Sequence, residues 1–223
     1  MFKICELLDT GERGSAAFNM AVDEVLLGRC EVPLLRVYGW ERPAVSFGYF
    51  QGLEELPVED RGGGVDLVRR WTGGGVVRHG EDWTYSLVVP RLYLKAMGGP
   101  VEAYAAVHRA IGDLLGESGI EARVIEGEAG DGGMDCFASP VRSDVMVGGE
   151  KVAGAAQRRT RAGMLHQGSI QGVAVPAEFG EGLAGKLGGE VRVVAGLPEG
   201  VREQAVDLAE EKYGARAWLG GGR

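Results

Sequence analysis

The composition is that of an acidic, glycine-rich chain of 223 residues, with a formal net charge of −8 at pH 7 and 45% hydrophobic residues. The hydrophobic fraction is enough for a packed core, and the negative charge argues against binding to nucleic acid. The three cysteines, Cys5, Cys30 and Cys136, do not have the spacing of a disulfide framework or a zinc site. Because the sequence has no signal-peptide pattern and no apolar run of membrane-spanning length, we expect a cytoplasmic protein with reduced thiols, no membrane contact and no bound metal.

Hydrophobic spacing predicts strands and helices joined by short turns. The predicted strands are 3–8, 34–38, 44–50, 65–70, 84–89, 121–125, 143–147, 151–156 and 164–175, and the predicted helices are 15–28, 100–117, 178–186 and one from Pro198 onwards. Ser15 is expected to cap the first helix, and Pro198 to be the first residue of the last. Since the elements do not alternate in a βαβ rhythm, the predicted fold class is α+β, with a mixed, largely antiparallel sheet flanked by helices.

A run of three glycines, Gly73 to Gly75, lies between two arginines and a histidine. The segment reads Arg69-Arg70-Trp71-Thr72-Gly73-Gly74-Gly75-Val76-Val77-Arg78-His79. A folding chain loses more conformational freedom at glycine than at other residues, so such a run indicates either a backbone with positive φ or one that a ligand approaches closely. We expect a small acyl or anionic ligand against these glycines.

Cys136 follows residues 126–135, a segment without a hydrophobic period that is expected to be a loop. A free cysteine is only a few per cent thiolate at neutral pH, and the acidic neighbours Asp131 and Asp135 make ionisation harder. Lys151 follows fifteen positions later, at the start of a predicted strand. An ammonium close to the sulfur would favour the thiolate and could also bind an acyl carbonyl oxygen. Spacing alone leaves open whether the two side chains meet.

Two other features have structural interpretations. His108 lies on the apolar face of the helix predicted at 100–117, and we expect a packing residue there rather than a catalyst. Residues 180–187 nearly match a phosphate-binding P-loop, but Leu187 replaces the hydroxyl residue that would hold magnesium. We therefore expect a helix with glycine-rich ends in this segment.

Several spaced motifs resemble the lipoate-protein ligase and octanoyltransferase superfamily. They are residues 17–24, 36–40, 48–51, 69–79, 84–87, 136–137, 143–145 and 149–157. The resemblance spans about residues 8 to 172 and implies the catalytic fold of biotin and lipoate protein ligases. It also implies a single catalytic domain over residues 1–223, without a separate accessory domain.

Cys136 with a lysine fifteen positions later resembles the cysteine-dependent octanoyltransferases of the Gram-positive type. The resemblance implies that Cys136 takes an octanoyl (or lipoyl) group as a thioester and that Lys151 supports it. The implied donor is octanoyl-acyl carrier protein and the implied acceptor is a lysine of a lipoyl domain or of glycine-cleavage H protein. No cofactor is required, because a thioester is already activated. The implied substrate-binding residues are Arg69, Arg70, Thr72, Gly73, Gly74, Gly75, His79, Gly154 and Ala155.

Two alternatives remain open. An ATP-dependent lipoate-protein ligase would use ATP and magnesium, with Lys151 on the carboxylate and acyl-adenylate and with Arg70 helping to position lipoate and ATP. The third candidate is a non-catalytic binder of lipoyl domains. The superfamily usually has Gln-His where this chain has His166-Gln167, so no role is assigned to His166.

Overall fold

The computed structural model describes residues 1–61, 64–125 and 142–221. Its strands are β1 (Phe2–Gly14), β2 (Leu34–Trp40), β3 (Ala44–Phe47), β4 (Asp66–Arg69), β5 (Val77–His79), β6 (Trp83–Pro90), β7 (Ala122–Val124), β8 (Val145–Val147), β9 (Glu150–Arg159), β10 (Gly163–Ile170) and β11 (Gly188–Val193). Its α-helices are α1 (Ala16–Arg29), α2 (Leu94–Met97), α3 (Pro100–Glu117), α4 (Phe179–Leu187), α5 (Val201–Leu208) and α6 (Arg216–Gly220), and a π-helical turn, Ala209–Tyr213, follows α5.

The strands form two sheets. The large sheet has eight strands in the order β11-β1-β2-β6-β10-β9-β8-β7, and the small one has the order β4-β3-β5. Strand β1 is parallel to both of its neighbours, while the other pairs of the large sheet are antiparallel. In the small sheet, β3 is parallel to β4 and antiparallel to β5. The predicted α+β class with a mixed, largely antiparallel sheet is confirmed.

Helices cover both faces of the large sheet, and each face has its own apolar core. On one face α3 and α4 bury residues such as Ile111, Leu115 and Leu183. On the other face α1 and α5 bury residues such as Leu26 and Val201. Since burying a side chain of this size contributes about 1.5–3 kcal/mol, these two layers hold the helices against the central strands β6 and β10.

The helix signals in the sequence explain where α1 and α3 begin. Ser15 caps α1, because its Oγ accepts a hydrogen bond from the Phe18 N–H at 3.3 Å. Pro100 lies in the first turn of α3, where its missing N–H is not needed for a helical hydrogen bond. Residues 179–187 form helix α4, which confirms the helical interpretation of the glycine-rich segment.

The sequence prediction was wrong in several places. Strands β5 and β11 and the short helix α2 were not predicted, β3 ends at Phe47 instead of residue 50, and β10 ends at Ile170 instead of residue 175. Helix α5 begins at Val201 rather than at Pro198, because Gly200 has φ +72° and interrupts the helical backbone. No helix among the described residues has the length and apolar character to cross a membrane.

Candidate active site

A small internal cavity of about 30 Å³ lies between the two sheets. Its apolar lining includes Met20, Tyr38 and Trp40, and strands β9 and β10 contribute backbone at Gly154 and Gly168. Polar side chains, Arg70 and His79 among them, lie on the side of the small sheet. The cavity thus has apolar walls and one polar side.

The triple glycine follows β4 and packs between the two sheets. A Cβ added at Gly48 would lie 2.0 Å from the Gly74 carbonyl oxygen, and one added at Gly74 would lie 3.3 Å from the Ala156 Cβ. Gly74 also has φ +85°, a conformation that side chains disfavour. A Cβ at Gly73 would meet nothing within 4 Å. Close packing and positive φ therefore account for Gly74, while Gly73 faces open space.

Arg70 holds this loop in place. Its guanidinium donates to the carbonyl oxygens of Gly73 at 3.0 Å and Gly75 at 2.7 Å, and to Ser46 Oγ at 2.7 Å. The side chain is buried beside the internal cavity. Arg70 thus connects the glycine loop to strand β3.

Arg69, the preceding residue, contacts a different part of the chain. Its guanidinium donates to the carbonyl oxygens of Trp218 at 2.7 Å and Leu219 at 2.6 Å, and to those of Tyr49 and Gln51. It lines neither the internal cavity nor its mouth. Its described contacts anchor helix α6, and a contact with substrate stays a prediction.

His79 belongs to a hydrogen-bonded chain at the polar side of the cavity. Its Nδ1 lies 2.8 Å from Asp82 Oδ2, its Nε2 lies 2.7 Å from Ser46 Oγ, and its ring stacks on Trp40 with centroids 4.0 Å apart. Burial lowers the pKa of His79, although Asp82 opposes the shift. Burial alone would raise the pKa of Asp82, but hydrogen bonds from His79, Ser169 and Thr84 lower it to about 2. The imidazole is therefore neutral and donates from Nδ1 to a carboxylate.

A wider cavity of about 470 Å³, referred to below as the mouth, lies beside the internal one. Ala155 and Ala156 of β9 line both spaces, and Gly73 and Gly74 line the mouth. Its other walls come from the start of α3 and from residues 142–143, which follow the segment that the structure leaves out. Small residues at the junction leave room for a chain that runs from the mouth inwards.

Lys151 is buried behind the wall of this mouth and forms an ion pair. Its Nζ lies 2.8 Å from Asp144 Oδ2, and the two side chains are 1% and 0% exposed. Tyr104, which lines the mouth, donates to Asp144 Oδ1 at 2.5 Å. Lys151 is therefore connected to the mouth through two hydrogen bonds.

The remaining predicted site residues are placed as follows. Thr72 is buried, and its Oγ1 donates to Gln167 Oε1 at 2.8 Å. Gly154 lines the internal cavity, and Gly75 accepts the Arg70 hydrogen bond. Cys136 lies outside the described residues. Arg70, His79 and Gly154 thus line the internal cavity, Gly73 and Gly74 line the wider one, and Ala155 lines both. Their binding of substrate stays a prediction.

The two other histidines lie on the opposite side of the large sheet from Gln167. His108 belongs to α3, and His166 belongs to β10 and lies beside that helix. His108 is fully buried, as predicted for a packing residue, and its Nδ1 lies 2.7 Å from the Ser143 carbonyl oxygen. Its Nε2 has no hydrogen-bond partner among the described residues. His166 lies 3.1 Å from both the Tyr85 hydroxyl and the Gln157 side-chain nitrogen. Burial lowers the pKa of His108 to about 4 and lowers that of His166 well below its usual range, so both imidazoles are neutral.

No role was predicted for Tyr104 or Asp144. Tyr104 precedes His108 by one helical turn, so two polar residues lie on the buried face of an otherwise apolar helix. That i,i+4 pair is a signal that could have been found. Their meeting with Asp144 and Lys151 could not, because it depends on how α3 packs on β9.

The chain resembles characterised proteins in sequence. Residues 15–205 match the family model for the lipoyl protein ligase A/B catalytic domain. The proteins named octanoyltransferase LipM from Kyrpidia tusciae and Symbiobacterium thermophilum are each 41% identical over 177 residues, or 74% of this chain and 64% of the relative. The chain thus spans less than two thirds of the length of these relatives.

Solved structures show the same fold. The structure of Ta0514, a putative lipoate protein ligase from T. acidophilum with bound lipoic acid, matches with a TM-score of 0.75 and 23% identity, over 99% of this chain and 100% of that one. A lipoate-protein ligase A bound with ATP matches with a TM-score of 0.77 and 24% identity, over the full length of both chains. The fold implied by the sequence motifs is confirmed, and the chain belongs to the lipoyl protein ligase A/B catalytic domain family.

Proposed function

We propose that this chain is an octanoyltransferase that carries the acyl group on Cys136. The similarity to proteins named octanoyltransferase carries the proposal, and the cavity with Lys151 behind its mouth supports it. Burial raises the pKa of Cys5 and of Cys30 to about 12, so neither thiol is a good nucleophile. Cys136 is the remaining cysteine of the three.

The proposed reaction has two acyl transfers and uses no nucleotide. The Cys136 thiolate attacks the octanoyl thioester of an acyl carrier protein; the new carbon–sulfur bond forms, the donor's breaks, and the donor leaves as a thiolate. The amine of an acceptor lysine, on a lipoyl domain or glycine-cleavage H protein, then attacks the acyl-cysteine. An amide forms, the carbon–sulfur bond to Cys136 breaks and restores its thiolate, and the proton lost by nitrogen neutralises the thiolate of the departed donor.

Each binding group has a part in this proposal. The acyl chain enters past Gly73, Gly74 and Ala155 towards the internal cavity, where Arg70 and His79 mark its polar side. The carbonyl group stays near the mouth. There the ammonium of Lys151 stabilises negative charge on the Cys136 sulfur and on the carbonyl oxygen. Thr72 supports the loop that shapes this space, and Arg69 anchors helix α6.

The test is acylation without ATP. Incubation with octanoyl-acyl carrier protein should raise the intact mass of the protein by one octanoyl group, and hydroxylamine should remove it, as expected for a thioester. Cys136→Ser should abolish the thioester, whereas Cys30→Ser, a matched change at a half-buried thiol, should retain it. Adding a lipoyl domain should move the group to the domain's lysine.

Two other outcomes would replace the proposal. A protein that stays unmodified but consumes ATP with lipoate or octanoate is a lipoate-protein ligase that uses ATP and magnesium. A protein that binds a lipoyl domain and transfers nothing from either donor is a non-catalytic binder. A single catalytic domain without an accessory domain, and a cytoplasmic location, stay predictions.

A further inference from the structure

The Lys151 ammonium near the mouth is held by a cluster of buried polar side chains that the family motifs did not predict. Lys151 pairs with Asp144 at 2.8 Å, and both side chains are almost completely excluded from solvent. Removing one partner of a buried pair leaves an uncompensated charge, which is strongly unfavourable. The state of Lys151 therefore depends on Asp144.

Asp144 is itself fixed through both carboxylate oxygens. Oδ2 contacts Lys151 and Oδ1 accepts the hydrogen bond from Tyr104. The Tyr104 hydroxyl in turn accepts a hydrogen bond from the Ala155 N–H at 3.2 Å, so its own hydrogen is directed at Asp144. Ala155 lines both cavities. Tyr104 thus connects the carboxylate to the strand along which the acyl chain would lie.

The backbone before Asp144 is held in an uncommon conformation. Ser143 has φ +71°, and it is the only non-glycine residue with positive φ in the described part of the chain. Its carbonyl oxygen lies 2.7 Å from His108 Nδ1, and its N–H donates to the Ile125 carbonyl oxygen at 3.0 Å. Such a conformation persists only where surrounding contacts determine it, and it is more frequent at functional sites.

The histidines and tyrosines around the Lys151–Asp144 pair carry no charge of their own at neutral pH. From α3, His108 Nδ1 lies 4.0 Å from Asp144 Oδ1, and burial lowers its pKa to about 4. From β10, burial lowers the pKa of His166 well below its usual range, and from β6, burial raises the pKa of Tyr85 far above its usual range. The exposed charges nearest in sequence are Arg142 and Glu150. At neutral pH the imidazoles and phenols around the pair are therefore uncharged.

We propose that Tyr104, His108 and Asp144 are positioning residues that hold Lys151 in place and keep it a cation beside the mouth. Asp144 acts on the side chain directly, Tyr104 acts through Asp144, and His108 acts through the Ser143 carbonyl group. The consequence for the chemistry rests on the function proposed above, since it is the Cys136 thiolate that the cation stabilises.

The test measures the rate at which iodoacetamide alkylates Cys136 at a series of pH values. Mass spectrometry of the peptide that contains Cys136 gives the extent of alkylation. Only the thiolate reacts, so the midpoint of the rate profile reports its formation. Lys151→Met should raise the midpoint by about one pH unit or more, as expected for the loss of a nearby opposite charge. Asp144→Asn should raise the midpoint by a similar amount. The Lys151 ammonium then loses the carboxylate that holds it, and with it the position from which it stabilises the thiolate. Tyr104→Phe should raise the midpoint less, and Tyr93→Phe, a matched change where the ring packs on Phe2, should leave it unchanged.

A double mutant separates positioning from general damage to the fold. If Asp144 acts through Lys151, then Asp144→Asn should lower the rate of Cys136 octanoylation about tenfold or more in the wild type and have little effect in Lys151→Met. Thermal unfolding of each variant shows whether it folds, and Tyr104→Phe keeps the test decisive should Asp144→Asn not fold.

The outcomes distinguish this inference from the function on which it rests. A midpoint that rises in Lys151→Met but not in Asp144→Asn and Tyr104→Phe overturns the positioning cluster and leaves the octanoyltransferase proposal in place. A wild-type protein that takes no octanoyl group, but whose alkylation midpoint shifts in these variants, overturns the function and supports the cluster.

Discussion

Arg69 and Arg70 are adjacent in the sequence and perform different tasks. Successive side chains at the end of a strand point to opposite sides, so Arg69 reaches the carbonyl oxygens of Trp218 and Leu219, while Arg70 reaches those of Gly73 and Gly75. The indole N–H of Trp218 donates back to the Arg69 carbonyl oxygen at 2.9 Å. One arginine therefore anchors the last helix and the other holds the glycine loop beside the internal cavity, although the motif alone suggests the same role for both.

The largest effect is expected for Arg70→Met. The change leaves Ser46 Oγ and the two glycine carbonyl oxygens without their donor inside the protein, at about 1–3 kcal/mol for each unsatisfied group. We expect a loss of unfolding free energy of about 3 kcal/mol and, because the loop moves, roughly a hundredfold slower octanoylation of Cys136. Urea unfolding and single-turnover acylation measure the two effects. Wild-type values in both would show that Arg70 does not hold the loop.

Gly48→Ala tests the place where the two arginine regions meet. Gly48 packs on Gly74, and the added Cβ would lie 2.0 Å from a backbone oxygen that cannot rotate away. We expect a loss of about 1–3 kcal/mol in unfolding free energy, the usual cost of overpacking, together with slower acylation. The control is Gly28→Ala in α1, where a Cβ would meet nothing within 4 Å. Equal stability for the two variants would contradict the close packing.

The candidate site shows what a single sequence can reveal. The fold class followed from the order of strands and helices. The triple glycine indicated positive φ, which Gly74 has, while the close approach of a ligand stays a prediction. Strand β11 was missed because its pairing with β1 is long-range and residues 188–193 carry little hydrophobic pattern. Likewise, no feature of the neighbouring sequence distinguishes the role of Arg69 from that of Arg70. The partners of Arg69 on helix α6 lie about 150 residues away along the chain.

Arg69→Met should affect the chain terminus more than the pocket. The carbonyl oxygens released on α6 lie near the surface and can bind water, so we expect a loss of only about 1–2 kcal/mol in unfolding free energy. Hydrogen exchange at residues 216–220 should accelerate, while Cys136 octanoylation stays within about threefold of wild type. Arg216→Met, a change at an exposed arginine on the same helix, should be neutral. If acylation falls as far as in Arg70→Met, Arg69 binds substrate, as the family motif implied.

The smallest effect is a pH dependence confined to the Arg70 side. Arg69 bonds to carbonyl oxygens, which do not titrate, whereas Ser46 links Arg70 to His79. Burial lowers the pKa of His79 below that of the unfolded chain, so its neutral form contributes stability that is complete above about pH 6.5 and is lost as the pH falls. Asp82, with its pKa of about 2, loses its contribution only below about pH 4 and does not interfere.

Between pH 7.5 and 5.5, His79→Gln should therefore lose less unfolding free energy than wild type. The difference is at most about 1.4 kcal/mol, the value of one pH unit for one proton. His108 and His166 titrate in the same direction and remain in both proteins, so they cancel in this difference. As the pH is lowered, amide hydrogen exchange at residues 73–75, corrected for its intrinsic pH dependence, should accelerate at a higher pH than exchange at residues 216–220. His79→Gln should remove this difference between the two segments. If exchange in both segments accelerates at the same pH in wild type, the two arginines stabilise one cooperative unit. The glycine loop and helix α6 then do not open independently of each other.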